Sequence, residues 1–268
     1  MTASDSAFSG SIPALYDRCL VPMLFEPYAE DMASRVAATG ARDILETAAG
    51  TGVVTAAMLR ALPEARIVAT DLNQAMLDVA AERVGSERAT FRQADAQSLP
   101  FEERRFDAVV CQFGVMFFPD RIGAYREARR VLKPGGQFLF NAWDRLEENP
   151  VSRALAEAVA ALFPDDPPTF LNRVPFGYHD IARIEADLRA AGFTEVRAET
   201  VRKRGRIGSA REAATGLCHG TPLRAEIEER DPAGLDRATE AAAAALERLN
   251  GPEGVDAAMS AHLFSASG

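Results

Sequence analysis

The sequence predicts an α/β protein built around a doubly wound, mostly parallel sheet, and three observations carry that prediction. Short β-rich runs alternate with longer helical segments through the first half of the chain, the pattern of βαβ units. Phe106–Cys111 is nearly all apolar and Gln137–Trp143 is of the same kind, as expected of interior strands with helices on both faces. The first strand, Asp43-Ile44-Leu45-Glu46, runs straight into the small-residue turn Ala48-Ala49-Gly50-Thr51-Gly52, which opens a helix.

The elements follow in order. Val53 to Leu62 reads as a helix stopped near Pro63, and Arg66 to Thr70 as the second strand. Asn73 is placed to cap a helix running to about Val84, with Gly85 just past its end. Ala89 to Arg92 is a third, shorter strand, and Asp120 to Leu132 a helix ended by the turn Lys133-Pro134-Gly135-Gly136. Beyond Trp143 the alternation breaks: a helix from about Pro150 to Phe163 precedes the proline-rich loop 164–168. It resumes with a helix from Asp180 to Ala191 and a strand from Thr194 to Lys203. Two further helices, about Ser209 to Glu229 with a break at Thr221-Pro222 and Pro232 to Leu249, precede a last strand, Ala261 to Ser265. The expectation is one domain over 1–268. It has an N-terminal helical cover over 1–40, a core over 41–144, cover insertions over 145–180 and 207–252, and the remaining sheet over 181–206 and 253–268.

Composition narrows the partners. With 268 residues, 47% hydrophobic and 26% charged, the chain is an ordinary globular protein. A net charge of -9 repels phosphate backbones and anionic membrane surfaces, so neither nucleic acid nor membrane is expected, and a small neutral or cationic ligand fits better. The N-terminus carries no secretory pattern and no stretch is long enough to span a bilayer, which reads as cytoplasmic. Cys19, Cys111 and Cys218 are isolated and odd in number, which argues for reduced thiols and against a disulfide framework or a metal site. The basic run Arg202-Lys203-Arg204-Gly205-Arg206 reads as a solvated strand edge.

The turn after the first strand carries the chemistry. Glycines there let a ligand approach the backbone, and the helix N-terminus offers unpaired N–H groups to an anionic group. A pyrophosphate would be repelled by Glu46, and Thr55 stands where the third glycine of a dinucleotide fingerprint is normally found. S-adenosyl-L-methionine carries an ammonium, a sulfonium and a carboxylate, so its cationic end matches Glu46 while its carboxylate can use the helix N-terminus. Asp71, 19 residues after Gly52, falls where a ribose diol needs a bidentate acceptor. Asp95-Ala96, after the third strand, offers a carboxylate to an exocyclic amine and a backbone N–H to a ring nitrogen.

At these residues the sequence resembles the class I S-adenosylmethionine-dependent methyltransferases, in particular the small-molecule branch that includes ubiquinone and menaquinone biosynthesis enzymes. The resemblance runs from about Ile44 to Asp144 and more loosely to the end. It implies a Rossmann-like, seven-stranded sheet whose last strand runs antiparallel. It also implies a cofactor set of Glu46, Ala48, Gly50, Gly52, Asp71, Leu72, Met76, Asp95, Ala96 and Gln112, with Tyr16 reaching in from the N-terminal cover. Ala48 departs from the family's first glycine, a change its small size makes tolerable.

The same geometry puts a small, partly hydrophobic substrate over the strand ends, on the floor made by Cys111-Gln112-Phe113-Gly114, with methyl transfer to oxygen, nitrogen or carbon. An acidic acceptor needs a base, and His219 and His179 are the candidates, with His262 behind them. A possible homodimer belongs to the same picture. The competing readings are a non-catalytic binding protein that kept the cofactor fold and a nicotinamide oxidoreductase, which Glu46 disfavours.

Overall fold

A computed structural model describes residues 3–6, 8, 10–251 and 254–268, so the expected start at residue 1 and the boundary at 252/253 lie outside the described residues. The strands are β1 (Asp43–Glu46), β2 (Arg66–Asp71), β3 (Ala89–Gln93), β4 (Phe106–Gln112), β5 (Leu132–Trp143), β6 (Glu195–Ile207), β7 (Asn250–Gly251) and β8 (Gly254–Ser267). The helices are α1 (Ile12–Leu15), α2 (Glu26–Ala38), α3 (Val53–Ala61), α4 (Gln74–Val84), α5 (Arg121–Val131), α6 (Pro150–Ala160), α7 (Phe170–Arg173), α8 (Ile181–Ala190), α9 (Ala210–His219), α10 (Leu223–Arg230) and α11 (Leu235–Leu246). A π-helical stretch, Tyr16–Phe25, containing Pro22, joins α1 to α2.

Seven strands lie in the order β3-β2-β1-β4-β5-β8-β6, with the two-residue β7 paired onto β8. The pairs of β1 with β2 and β4, of β2 with β3 and of β4 with β5 are parallel, and β8 runs antiparallel to β5. This is the Rossmann-like α/β arrangement the sequence predicts. The chain winds outward from β1 to β3, then returns to lay β4 against the other side of β1. A strand-order reversal of this kind opens a crevice at the carboxyl ends of the two central strands, where ligands of such sheets bind.

Two compact units emerge. The sheet unit comprises Tyr28–Trp143, Tyr178–Val201 and Ala261–Gly268; the second comprises Met1–Pro27, Asp144–Gly177 and Arg202–Ser260. The segments expected as covers thus gather mainly in the second unit, except that residues 28–40 and 178–180 go with the sheet. Within the second unit α9 meets the π-helical stretch so closely that a Cβ at Gly216 would lie 2.6 Å from Cys19 Cβ. Arg173 ties Asp5 at 2.6 Å to Glu226 at 2.8 Å.

Several boundaries differ from the sequence reading for physical reasons. Lys133–Gly136 does not stand outside the strand: β5 begins at Leu132. The ladder steps from Phe106↔Leu132 to Ala108↔Gln137, so the four residues bulge out between two paired positions. Asn73 occupies the N-cap position but does not cap the first turn; its backbone N–H donates to Asp71 Oδ1 at 2.8 Å and its amide turns toward the same oxygen. Gly85 closes α4 in the left-handed conformation as expected. The last strand begins well before Ala261, at Gly254, and ends just past Ser265, at Ser267. Cys19, Cys111 and Cys218 are buried free thiols.

Gly52, the N-cap of α3, has φ 77°, and a Cβ there would come within 2.9 Å of Ala80 Cβ on α4. Gly85, with φ 51°, has open space around it. Gly85→Ala is therefore expected to cost about 1 kcal/mol of backbone strain, and Gly52→Ala about 2–4 kcal/mol because helix packing must also shift. Thermal melts of the two variants test this, and equal losses would contradict it.

Candidate functional site

The site grows from the carboxyl tip of β1. Leu45 and Glu46 pair with Val109 and Val110 of β4 on one side and with Val68 and Ala69 of β2 on the other, so Glu46 emerges at the centre of the sheet. The tip is stitched to both neighbours. Thr47 N–H donates to Val110 O and Ala49 N–H to Thr70 O, each at 2.9 Å, and the Thr70 hydroxyl donates to Glu46 O at 3.0 Å. The carboxylate of Glu46 is 1% exposed and accepts one hydrogen bond, from Thr55 Oγ1 of α3 at 2.5 Å. Burial pushes this carboxyl up to about 8, against the Thr55 hydroxyl and with the help of nearby Asp71. Among the described residues no basic side chain contributes to that balance.

The loop that follows is held by strain and by acids. Ala48 has φ 52°, a left-handed conformation that costs a residue with a Cβ about 1–2 kcal/mol. Its tolerance is thus a matter of backbone energy, not only of size. Gly50, φ 56°, donates its N–H to Asp71 Oδ2 at 2.9 Å. Asp71 ends β2 and is itself buried; burial raises its carboxyl above the ordinary range, while the N–H groups of Asn73, Gly50 and Leu72 restrain the rise. Each Asp71 oxygen keeps acceptor capacity beyond the backbone bond it already takes. Met76, at the start of α4, is buried with its methyl 3.7 Å from the Cβ position of Gly50. Among the described residues Leu72 is the large apolar side chain left exposed, at 49%, immediately beyond Asp71.

After β3, Asp95 is exposed, and its carboxylate already takes the backbone N–H of Gln97 at 2.8 Å and the Gln97 amide at 3.1 Å. Ala96 beside it is half-buried. β4 ends at Gln112, in register with Asn141 of β5. Phe113 then turns with φ 51° and stacks on Trp143, ring centres 3.8 Å apart, while Tyr28 meets both rings edge-on at 5.2 and 5.5 Å.

A family model described as a methyltransferase domain matches residues 45–140. Demethylmenaquinone methyltransferase of Clavibacter sepedonicus is 32% identical over 207 residues, which cover 71% of this chain and 82% of that protein. The chain belongs to the class I S-adenosylmethionine-dependent methyltransferases. The ubiquinone/menaquinone biosynthesis C-methyltransferase of Caulobacter sp. (strain K31) is 39% identical over 127 residues, 44% of this chain and 49% of that protein, so the chain spans about half of that relative. Among solved structures, a SAM-dependent methyltransferase of Thermotoga maritima superposes with TM-score 0.54 at 16% identity, covering 94% of this chain and 93% of that one. Phosphoethanolamine N-methyltransferase 2 of Haemonchus contortus, bound to phosphomonomethylethanolamine and S-adenosylhomocysteine, gives 0.59 at 18%, covering 95% and 56%. At those identities the likeness speaks for the fold alone. This methyltransferase is an enzyme that uses S-adenosylmethionine, and among its described residues no helix is long and apolar enough to cross a membrane.

The residues expected from sequence divide between the two units. Glu46, Ala48, Gly50, Gly52, Asp71, Leu72, Met76, Asp95, Ala96 and Gln112 all belong to the sheet unit and cluster on the tips of β1 to β4 and the helix starts behind them. His179 also belongs to it, half-buried just before α8. Tyr16 and His219 belong to the second unit. There Tyr16 stacks on Phe25 at 4.9 Å, and His219 Nε2 lies 2.9 Å from Thr239 Oγ1. That hydroxyl donates to Leu235 O at 2.8 Å, so the His219 ring donates from Nε2 and keeps Nδ1 as an acceptor. Burial, with Arg224 adding, holds His219 below its ordinary value. His262 lies in β8 against Thr200 at 3.0 Å. Sequence reasoning missed Asn141 and Trp143 at the β5 tip and Tyr28 of α2 against the Trp143 ring; the alternation of β5, which puts Asn141 and Trp143 on one face, was the available signal for the first two.

Glu46 keeps its proton to about pH 8 in the folded chain, against 4.5 ordinarily, so folding gains from it below pH 4.5. That gain is lost at roughly 1.4 kcal/mol per pH unit as pH climbs toward 8. Urea denaturation of the cofactor-free protein between pH 5 and 8 should therefore show the parent losing stability relative to Glu46→Gln. Parallel profiles would refute the burial argument.

Proposed function

We propose that the tips of β1, β2 and β3 hold S-adenosylmethionine and that this enzyme methylates carbon or oxygen of a small aromatic acceptor of the quinol type. The observation that carries the cofactor reading is Glu46, a sealed carboxyl at the sheet centre with no cation beside it among the described residues, for which an ammonium or sulfonium is the complementary partner. The buried Thr51 hydroxyl, which has no hydrogen-bond partner among the described residues, lies in the same loop and offers a polar contact to a ligand. Asp71 keeps acceptor sites for the ribose diol, and exposed Leu72 next to it offers an apolar face to the adenine. Asp95, Ala96 and Gln112 complete the proposed contacts. Gln97 already holds Asp95, so that carboxylate is oriented before any amine arrives.

When bound, S-adenosylmethionine supplies a methyl group on a positively charged sulfur. The chain supplies alignment and a water-poor, aromatic floor at the β4 tip, where charge is dispersed as the methyl moves. The acceptor class is supported by relatives whose names give demethylmenaquinone and a 1,4-benzoquinol as what they act on. A quinol hydroxyl must lose a proton. Of the two histidine candidates, His179 lies in the same unit as the cofactor residues and is assigned that role.

Calorimetric titration with the cofactor and transfer of radiolabelled methyl into 1,4-naphthoquinol test the reading. Asp71→Asn is expected to weaken cofactor binding about 10- to 100-fold. His179→Gln should lower kcat about 100-fold or more at unchanged cofactor affinity. Unaltered binding by Asp71→Asn would remove the cofactor assignment, and unaltered kcat in His179→Gln the assignment of the base.

A further inference from the structure

We infer that Asn141 is a positioning residue for methyl transfer, holding the β4 tip in a left-handed turn that seats it against the β1 loop. The inference rests on the cofactor site proposed above. Asn141 is 1% exposed in an interior strand, between Phe140 and Ala142, with β4 on one side and β8 on the other. A polar residue in such a place needs a reason.

Its reason lies one strand away. The Phe113 N–H donates to Asn141 twice, to the backbone oxygen at 3.2 Å and to Oδ1 at 3.0 Å. That donor fixes the amide orientation, since a flipped amide would set N–H against N–H. Asn141 Nδ2 is left buried with no hydrogen-bond partner among the described residues. A side chain chosen for packing would avoid that loss, so the acceptor at Oδ1 is what the fold uses.

The acceptor holds a strained residue. Phe113, with φ 51°, is one of three described non-glycine residues with positive φ, and a bulky side chain there persists only where its surroundings over-determine it. The forked bond from the backbone N–H, the 3.8 Å stack on Trp143 and the edge of Tyr28 do so together.

The turn has one consequence at the reacting centre. It swings Gly114 onto the cofactor loop, so close that a Cβ on Gly114 would sit 2.5 Å from Ala48 Cβ and 2.7 Å from Cys111 Sγ. Ala48 is itself left-handed. Two strained tips, of β1 and β4, therefore abut with no slack, and loosening either displaces the floor on which acceptor and donor are aligned.

The test compares Asn141→Leu, which removes the acceptor oxygen at similar volume, with Asn141→Asp, which keeps it. Trp143 is the chain's one tryptophan, so its emission reports the Phe113 stack directly. Asn141→Leu should red-shift that emission and lower kcat for methyl transfer to 1,4-naphthoquinol about 100-fold, the order expected of an ångström-scale misplacement. Its S-adenosylhomocysteine affinity should stay within about threefold of the parent, since Glu46 and Asp71 are untouched. Asn141→Asp should keep the parent emission and recover most of kcat. Parent-like emission and kcat in Asn141→Leu would overturn the inference, as would a loss in Asn141→Asp equal to that in Asn141→Leu. Should the parent fail to bind S-adenosylhomocysteine, the cofactor reading falls instead, and the emission of the two variants still decides whether Asn141 holds the turn.

Discussion

A carboxyl group sealed at the middle of a parallel sheet is the constraint around which the rest is arranged. Glu46 stands where the strand order reverses, between two strands that bury its backbone and beneath a helix that contributes Thr55 alone. Taking a carboxylate from water is costly, and the fold supplies one hydroxyl in return while Asp71 adds repulsion. Such a residue detracts from the stability of the empty protein at neutral pH. Its place is explained by a cationic ligand, so stability is lower where binding requires it.

The loop around that carboxyl follows the same economy. Gly50 and Gly52 take left-handed conformations at little cost, but Ala48 and Phe113 take them against their side chains, and the two lie on the strand tips that meet at Gly114. Gly50 is fixed by Asp71, Phe113 by Asn141, and both anchors are acceptors on neighbouring strands. Rigid placement of this kind lets a reaction that needs little covalent chemistry from the protein proceed by alignment.

Much of this was legible in the sequence because it depends on local chemistry. The order of acid, small residues and glycines from Glu46 to Gly52 can be satisfied in few ways, and the apolar runs at β4 and β5 need a two-sided sheet. What escaped depends on competing hydrogen bonds, local in one case and otherwise between segments distant in the chain. Asn73 looks like a cap, but Asp71 two residues earlier competes for it. Lys133–Gly136 looks like a clean turn, yet the ladder closes on both sides of it and makes it a bulge. The role of Asn141 required knowing that its partner is the backbone of Phe113, 28 residues away. The division of the N-terminal segment at Tyr28 likewise reflects tertiary packing, with the Tyr28 ring among Phe113 and Trp143 and its hydroxyl on Val201 O at 3.1 Å.

The central claim is that the buried Glu46 carboxyl ionises to meet the cofactor's positive end. Calorimetry of S-adenosylmethionine binding at pH 7, in two buffers of different ionisation enthalpy, counts the protons exchanged. With the free carboxyl near 8, close to one proton should be released per cofactor bound by the parent and none by Glu46→Gln. Tight binding with no proton released by the parent would contradict the account.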